Sequence, residues 1–81
     1  MTYLKSEFLE WKEMYTEAAE SGPAWDMFNH YLQHIWDANK IPAPLSIWSQ
    51  WMQRTHRKII RNDVPGRRVF YQGIRLKEIP I

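Results

Sequence analysis

Residues 44–76 read PLSIWSQWMQRTHRKIIRNDVPGRRVFYQGIRL, and the way this stretch folds decides the rest. Pro44 and Ser46 are helix-start residues. The run that follows carries Trp48, Trp51 and Met52 and then turns basic at Arg54, Arg57, Lys58 and Arg61. A Pro65-Gly66 turn leads into Arg67 and Arg68 and a short β-like run, Val69-Phe70-Tyr71. Gln72-Gly73 breaks that run, and Ile74-Arg75-Leu76 can return as its partner strand. The stretch therefore predicts a helix with a polar and basic side, followed by a basic hairpin at 67–77.

Helical spacing places Leu45, Trp48, Met52, Thr55 and Ile59 on one stripe, with Ile47 and Trp51 beside it. Ser49, Gln50, Gln53, Arg54, Arg57 and Lys58 then face mostly away. This predicts a helix over 44–60. The alternative is a strand from His56 to Arg61, favoured by β-branched Ile59 and Ile60, with Asn62-Asp63 as a turn. Upstream, Pro42 and Pro44 push Ile41 and Ala43 into extended backbone, a short stiff connection.

Before it, Trp25, Phe28, Leu32, Ile35 and Trp36, widened by Met27 and Tyr31, predict a helix over 24–39. Asn39 suits its C-cap and Lys40 the negative end of its dipole. A first helix is expected over 3–20. Leu4, Phe8, Trp11, Tyr15 and Ala18 form its stripe, and Glu7, Glu10, Glu13, Glu17 and Glu20 lie on its other sides. Ser21-Gly22-Pro23 ends it. Trp11, Trp25, Trp36 and Trp48 fall on stripes expected to be buried, and Trp51 falls at a boundary.

The 81 residues suffice for one small domain, and the five Trp, four Tyr and three Phe supply its core. There is no Cys, hence no disulfide and no thiolate metal site. No apolar run approaches about 18 residues, and the N-terminal residues lack a signal-peptide core. The expectation is a soluble, cytoplasmic protein with no membrane partner. Net charge is +2, but residues 1–40 hold three Lys against seven acids (−4). Residues 41–81 hold eight Lys or Arg against two acids (+6), and six of the eight are Arg, the residue suited to bidentate phosphate and guanine contacts. That asymmetry points to a nucleic-acid-facing C-terminal half, against the plainer reading of a solvated basic face.

Catalytic signatures are missing: no Walker loop, no G-x-G-x-x-G, no nucleophile elbow, and three Gly in all. His30 and His34 stand at i, i+4, a spacing that can hold zinc, but without the H-E-x-x-H glutamate or a Cys they read as surface or interface histidines. The sequence predicts no enzyme, no cofactor and no metal.

Trp51 within LSIWSQWMQR, then Val64-Pro65-Gly66-Arg67-Arg68-Val69, then Ile74-Arg75-Leu76 with Glu78, resemble the excisionase-type, MerR-like winged-helix proteins over about 35 residues. The resemblance implies a transcriptional regulator or recombination directionality factor, often phage- or mobile-element-borne. It would bind double-stranded DNA as a dimer or in cooperative arrays, without catalysis.

The expected fold is accordingly mainly α with a small C-terminal β-hairpin, a three-helix winged helix-turn-helix-like domain. Ser49, Gln50, Gln53 and Arg54 would read base edges, since Gln suits adenine and Arg suits guanine in the major groove. Arg57, Lys58 and Arg61 would hold phosphates, and Arg67, Arg68 and Arg75 would be wing contacts. The rival reading is a small inhibitor or adaptor of phage type that binds a host protein through its acidic, aromatic-rich N-terminal helices.

Overall fold

The computed structural model describes residues 2–63 and 68–77, and of Arg68 the backbone only. In chain order the elements are α1 (Lys5–Tyr15), β1 (Thr16–Pro23), α2 (Ala24–Asp37), α3 (Leu45–Gln53), β2 (Lys58–Arg61) and β3 (Arg68–Leu76). The strands make one antiparallel sheet in the order β1-β3-β2.

This corrects the expectation of a mainly α, winged helix-turn-helix-like domain whose only β-structure is a C-terminal hairpin. The strands are spread along the chain, and the first lies between α1 and α2. Residues 16–20, expected as the last turn of the first helix, are strand. The helix stops because Thr16 is extended (φ −122, ψ 157); its N–H makes the last i→i−4 bond, to the Lys12 carbonyl, which also accepts from the Thr16 hydroxyl. Ala18, Ala19 and Glu20 favour a helix by propensity, and tertiary pairing overrides them. Thr16 pairs with Leu76, Ala18 with Ile74 and Pro23 with Phe70. An apolar, β-branched and aromatic strand such as β3 is stabilised by ladder partners on both edges, and β1 supplies the second.

Two glycines fit the sheet together. Between Ala18 and Ser21 the register shifts, so Ala19 and Glu20 oppose the single residue Gly73 at φ +86. Such a bulge re-aims side chains. It lets Tyr71 and Ile74, three apart, both reach the core at 1% and 3% exposure. At Gly22 a Cβ would stand 2.5 Å from the Ile74 carbonyl oxygen, so only glycine fits there.

The third helix is also shorter than expected. It ends at Gln53, and Lys58–Arg61 is strand, which settles 44–60 in favour of the alternative. Thr55 is exposed in the turn, and Ile59 pairs with Phe70 instead of continuing the helical stripe. The α2–α3 connection follows its sequence signals. Asn39 is left-handed (φ 58), the Asn39 N–H donates to the Trp36 carbonyl and the Lys40 N–H to the Ile35 carbonyl. Those are the two bonds of a Schellman cap. Ala43, held extended between the two prolines, is fully buried, and its N–H donates to the Tyr31 hydroxyl at 2.8 Å.

The core joins Phe8 and Trp11 of α1, Met27, Phe28, Tyr31 and Ile35 of α2, Trp48 and Met52 of α3, and Tyr71 and Ile74 of β3. Trp48 sits at its centre, with ring centroids 5.2 Å from Phe28, 5.8 Å from Tyr71 and 6.2 Å from Trp11. Its buried indole N–H has no acceptor among the described residues. Trp51 is half-buried against Tyr3 and Phe8. Trp25 and Trp36 depart from expectation, being 62% and 61% exposed. The Met27, Phe28, Tyr31 and Ile35 arc faces inward, and the two tryptophans lie outside it.

These positions predict opposite outcomes for two identical substitutions. Trp48→Ala, which empties the centre of the core, should cost about 3–5 kcal/mol. That is comparable with the whole stability of a chain this size, at roughly 0.05–0.15 kcal/mol per residue. Trp36→Ala should stay within about 0.5 kcal/mol of wild type. Urea unfolding followed by far-UV circular dichroism measures both, and equal losses would contradict this core.

Candidate nucleic-acid interface

The expected base-reading residues lie on the side of α3 that the core leaves free. Burial of Trp48 and Met52 fixes the inner side, and Gln50, Gln53 and Arg54 are exposed while Ser49 is half-buried. At about 1.5 Å per residue this short helix presents a polar strip roughly 13 Å long.

Arg57 and Lys58 follow α3 across the turn into β2. Both are exposed, as is Arg54. Among the described residues, no carboxylate forms a salt bridge with Arg54, Arg57 or Lys58. The turn is held from two sides. Lys12 of α1 donates from Nζ to Thr55 Oγ1 at 3.0 Å. From β3, the Gln72 N–H donates to the Arg57 carbonyl at 2.9 Å, and the Gln72 carbonyl accepts from His56 Nδ1 at 3.0 Å. The three cations therefore project from a clasped turn. Lys12 and Gln72, the members of this clasp, carry no signal in the sequence, because Thr55 and Lys12 are 43 residues apart.

The remaining expected contacts are placed differently. Arg61 makes a two-pronged pair with Asp63 (3.1 and 2.7 Å) and lies over the Phe70 ring at 5.3 Å. Arg75 is engaged by Glu17 through Nε at 2.9 Å and Nη2 at 2.7 Å, across the β1–β3 ladder. Its charge is thus balanced within the sheet. Arg67 and the Pro65-Gly66 turn lie outside the described residues, as does the side chain of Arg68.

A depression of about 350 Å³ opens beside the clasp, bordered by Lys12, His56, Glu13 and Glu17 over Leu9 and Ile74. Cationic and anionic groups share its border, so it has no bias toward phosphate. His30 is also occupied: it accepts from Trp11 Nε1 through Nδ1 at 3.0 Å, and Tyr15 packs against both His30 and His34. Among the described residues no group of three or more His, Cys, Asp or Glu could hold a metal ion, and no helix is long and apolar enough to cross a membrane.

No protein-family model matches the chain, and no curated protein matches it in sequence.

Burial holds both His30 and His56 below the ordinary imidazole range. Neighbouring His34 adds to the shift at His30. Lys12 adds to it at His56, against the hydrogen bond to Gln72. A histidine whose folded pKa is depressed binds its proton more readily when unfolded, so stability falls as pH falls. The contribution should be complete above the unfolded value of about 6.5 and lost progressively below it. Urea midpoints measured from about pH 7.5 to about pH 5, a range that brackets the unfolded value, should decline. His30→Gln should flatten that decline. A midpoint that rises on acidification would contradict neutral, partly buried histidines.

Proposed function

We propose that this protein is a non-enzymatic, sequence-specific binder of duplex DNA. In this reading Ser49, Gln50, Gln53 and Arg54 of α3 contact base edges, and Arg57 and Lys58 contact phosphates. One observation carries it. Arg54, Arg57 and Lys58 are exposed, clasped in place and free of salt bridges among the described residues, next to a helix side made of hydroxyl and amide groups. Cations position a protein on the backbone, and amide, hydroxyl and guanidinium groups read bases.

Three local charges are a modest footprint, which suits a small module. Arg61 and Arg75 contribute less, each beside its own carboxylate. The resemblance to excisionase-type proteins covers residues 44–78 in sequence alone, because Val69-Phe70-Tyr71 and Ile74-Arg75-Leu76, expected as the two strands of the hairpin at 67–77, are both part of the single strand β3. A cytoplasmic setting and a phage or mobile-element origin belong to the same proposal. The inhibitor reading has less support on α1, because Glu7 is paired with Lys40 at 3.2 Å and Glu17 with Arg75. Two of the five glutamates expected to form its working surface are thereby neutralised.

Anisotropy titrations with a labelled duplex test the proposal directly. The plot of log K against log salt should fall with a slope of about −0.9 per phosphate, roughly −2 for Arg57 and Lys58. Arg57→Ala should make it shallower by about one and weaken all duplexes alike. Lack of binding at low salt, or binding indifferent to salt, would refute it.

Base reading has a separate signature. On a site selected from a random duplex pool, Gln50→Ala or Arg54→Ala should cost about 1–3 kcal/mol and relax preference at one position. Losses of equal size on selected and random duplexes would take the base-reading role from α3.

A further inference from the structure

Helix α2 carries two exposed rows whose side-chain hydrogen bonds and ring contacts among the described residues, Trp25 with Phe28 and Asp37 with Gln33, all lie within α2 itself. Trp25 and Trp36 are eleven residues apart, three helical turns, and so lie on one side of the helix about 16 Å apart. Asp26 and Asp37 repeat the same interval roughly 100° further round. Both are exposed, with Asn29 and Gln33 between the rows. Large exposed aromatics on a small monomer mark contact surfaces more than isolated aliphatics do. Asp37 accepts from Gln33 Nε2 at 2.9 Å, and no cation pairs with Asp26 or Asp37 among the described residues.

The complementary surface exists on the same chain. Arg54, Arg57 and Lys58 lack salt bridges among the described residues, and Ile60 is 57% exposed. Lys58 and Ile60 alternate with Ile59 along β2 and therefore share a side of that strand. Lys58 there stands beside an apolar side chain, as α2 offers carboxylates beside two indoles. Cations over indole faces add to the attraction.

Two-fold pairing of α2 with itself fails on charge. An antiparallel pair sets like rows opposite each other, so carboxylates meet carboxylates. A parallel pair sets the aspartates against the tryptophans. In neither does a carboxylate meet a cation. Seating α2 of one copy on the α3–β2 turn of another pairs carboxylates with cations, and a net charge of only +2 opposes it weakly.

We propose that copies of this chain associate head to tail, with the Trp25–Trp36 and Asp26–Asp37 rows of α2 seated on Arg54, Arg57, Lys58 and Ile60 of the next copy. The contact is heterologous and rich in exposed charge, so it is concentration-dependent and screened by salt. It also occupies the cations assigned to DNA. Resting on that assignment, a second consequence is that duplex DNA and self-association exclude each other.

Sedimentation velocity without DNA tests the association, at about 20 mM and about 300 mM salt, where screening lengths are roughly 20 Å and 6 Å. Wild type should form concentration-dependent oligomers at low salt and monomers at high salt. Trp36→Ser with Asp37→Asn should be monomeric at both. Arg57→Glu with Lys58→Glu should be monomeric too, each variant being checked for folding by circular dichroism. Mixed in equal amounts, the two variants keep one intact surface each and should form a closed one-to-one dimer. A monomeric wild type at low salt, or variants that still associate, would overturn the proposal, as would a mixture that stays monomeric. Added short duplex should dissolve the wild-type oligomers. Oligomers formed by a protein with no duplex affinity would uphold the association and remove the DNA reading alone.

Discussion

Strand β3 needs hydrogen-bond partners on both edges and cover on both faces, and most of the fold follows from how the chain supplies them. β2 provides one edge from nearby sequence. The other comes from Thr16–Pro23, far away in the chain, and that requirement ends α1 at Tyr15. Tyr71 and Ile74 face the helices, and Phe70 on the opposite face is covered by its neighbours Ile59 and Pro23 and by the Arg61 guanidinium. Antiparallel sheets commonly leave one face to solvent. Here Phe70 is 9% exposed, with the Arg61 guanidinium over its ring and Ile59 and Pro23 as its ladder partners.

The helices then close over the remaining face through aromatic contacts rather than through aliphatic volume. Trp48 meets partners from α1, α2 and β3 at once, so its placement fixes the roll of α3 about its own axis. That roll sets Gln50, Gln53 and Arg54 outward. A small rotation of Trp48 would carry them toward the core, so the geometry of the candidate interface is a consequence of core packing.

Much of this was legible locally. The Asn39 cap, the proline-stiffened connection and the Trp48–Met52 inner stripe are encoded by adjacent residues, and the structure has all three. The polar outer side of α3 was equally readable, since it is the complement of that stripe. Residues 16–20 were not, because Glu, Ala and Ala favour helix and only a distant strand pulls them out of it. The exposure of Trp25 and Trp36 was missed for a related reason. The large apolar residues on α2 exceed what one inward arc can bury, and periodicity alone does not say which are left over. The Lys12–Thr55 and Gln72–Arg57 clasp joins three elements, and no spacing in the sequence announces it.

The fold pairs part of the charge that divides the two halves. Lys40 is spent on Glu7 and Arg75 on Glu17, and the second pair joins the acidic half to the basic half. Arg61 is balanced by Asp63. Among the described residues the charges without a salt bridge include Arg54, Arg57 and Lys58 at the α3–β2 turn and Asp26 and Asp37 on α2, and also Lys5, Glu10, Lys12, Glu13, Glu20 and Lys77 elsewhere. The helix dipole offers a purely structural account of cations at the C-terminal end of α3. It falls off within the last turn, however, and α3 has no basic residue in its last turn, with Arg54 only at the cap and Arg57 and Lys58 beyond it. The dipole therefore accounts for at most one of the three. Arg57 and Lys58 are held by a backbone clasp that gives their side chains no salt bridge of their own among the described residues. Fixing the backbone of a charged turn while leaving its cations unpaired does little for stability. A cation on a fixed backbone has less conformational freedom to lose when it meets an anion.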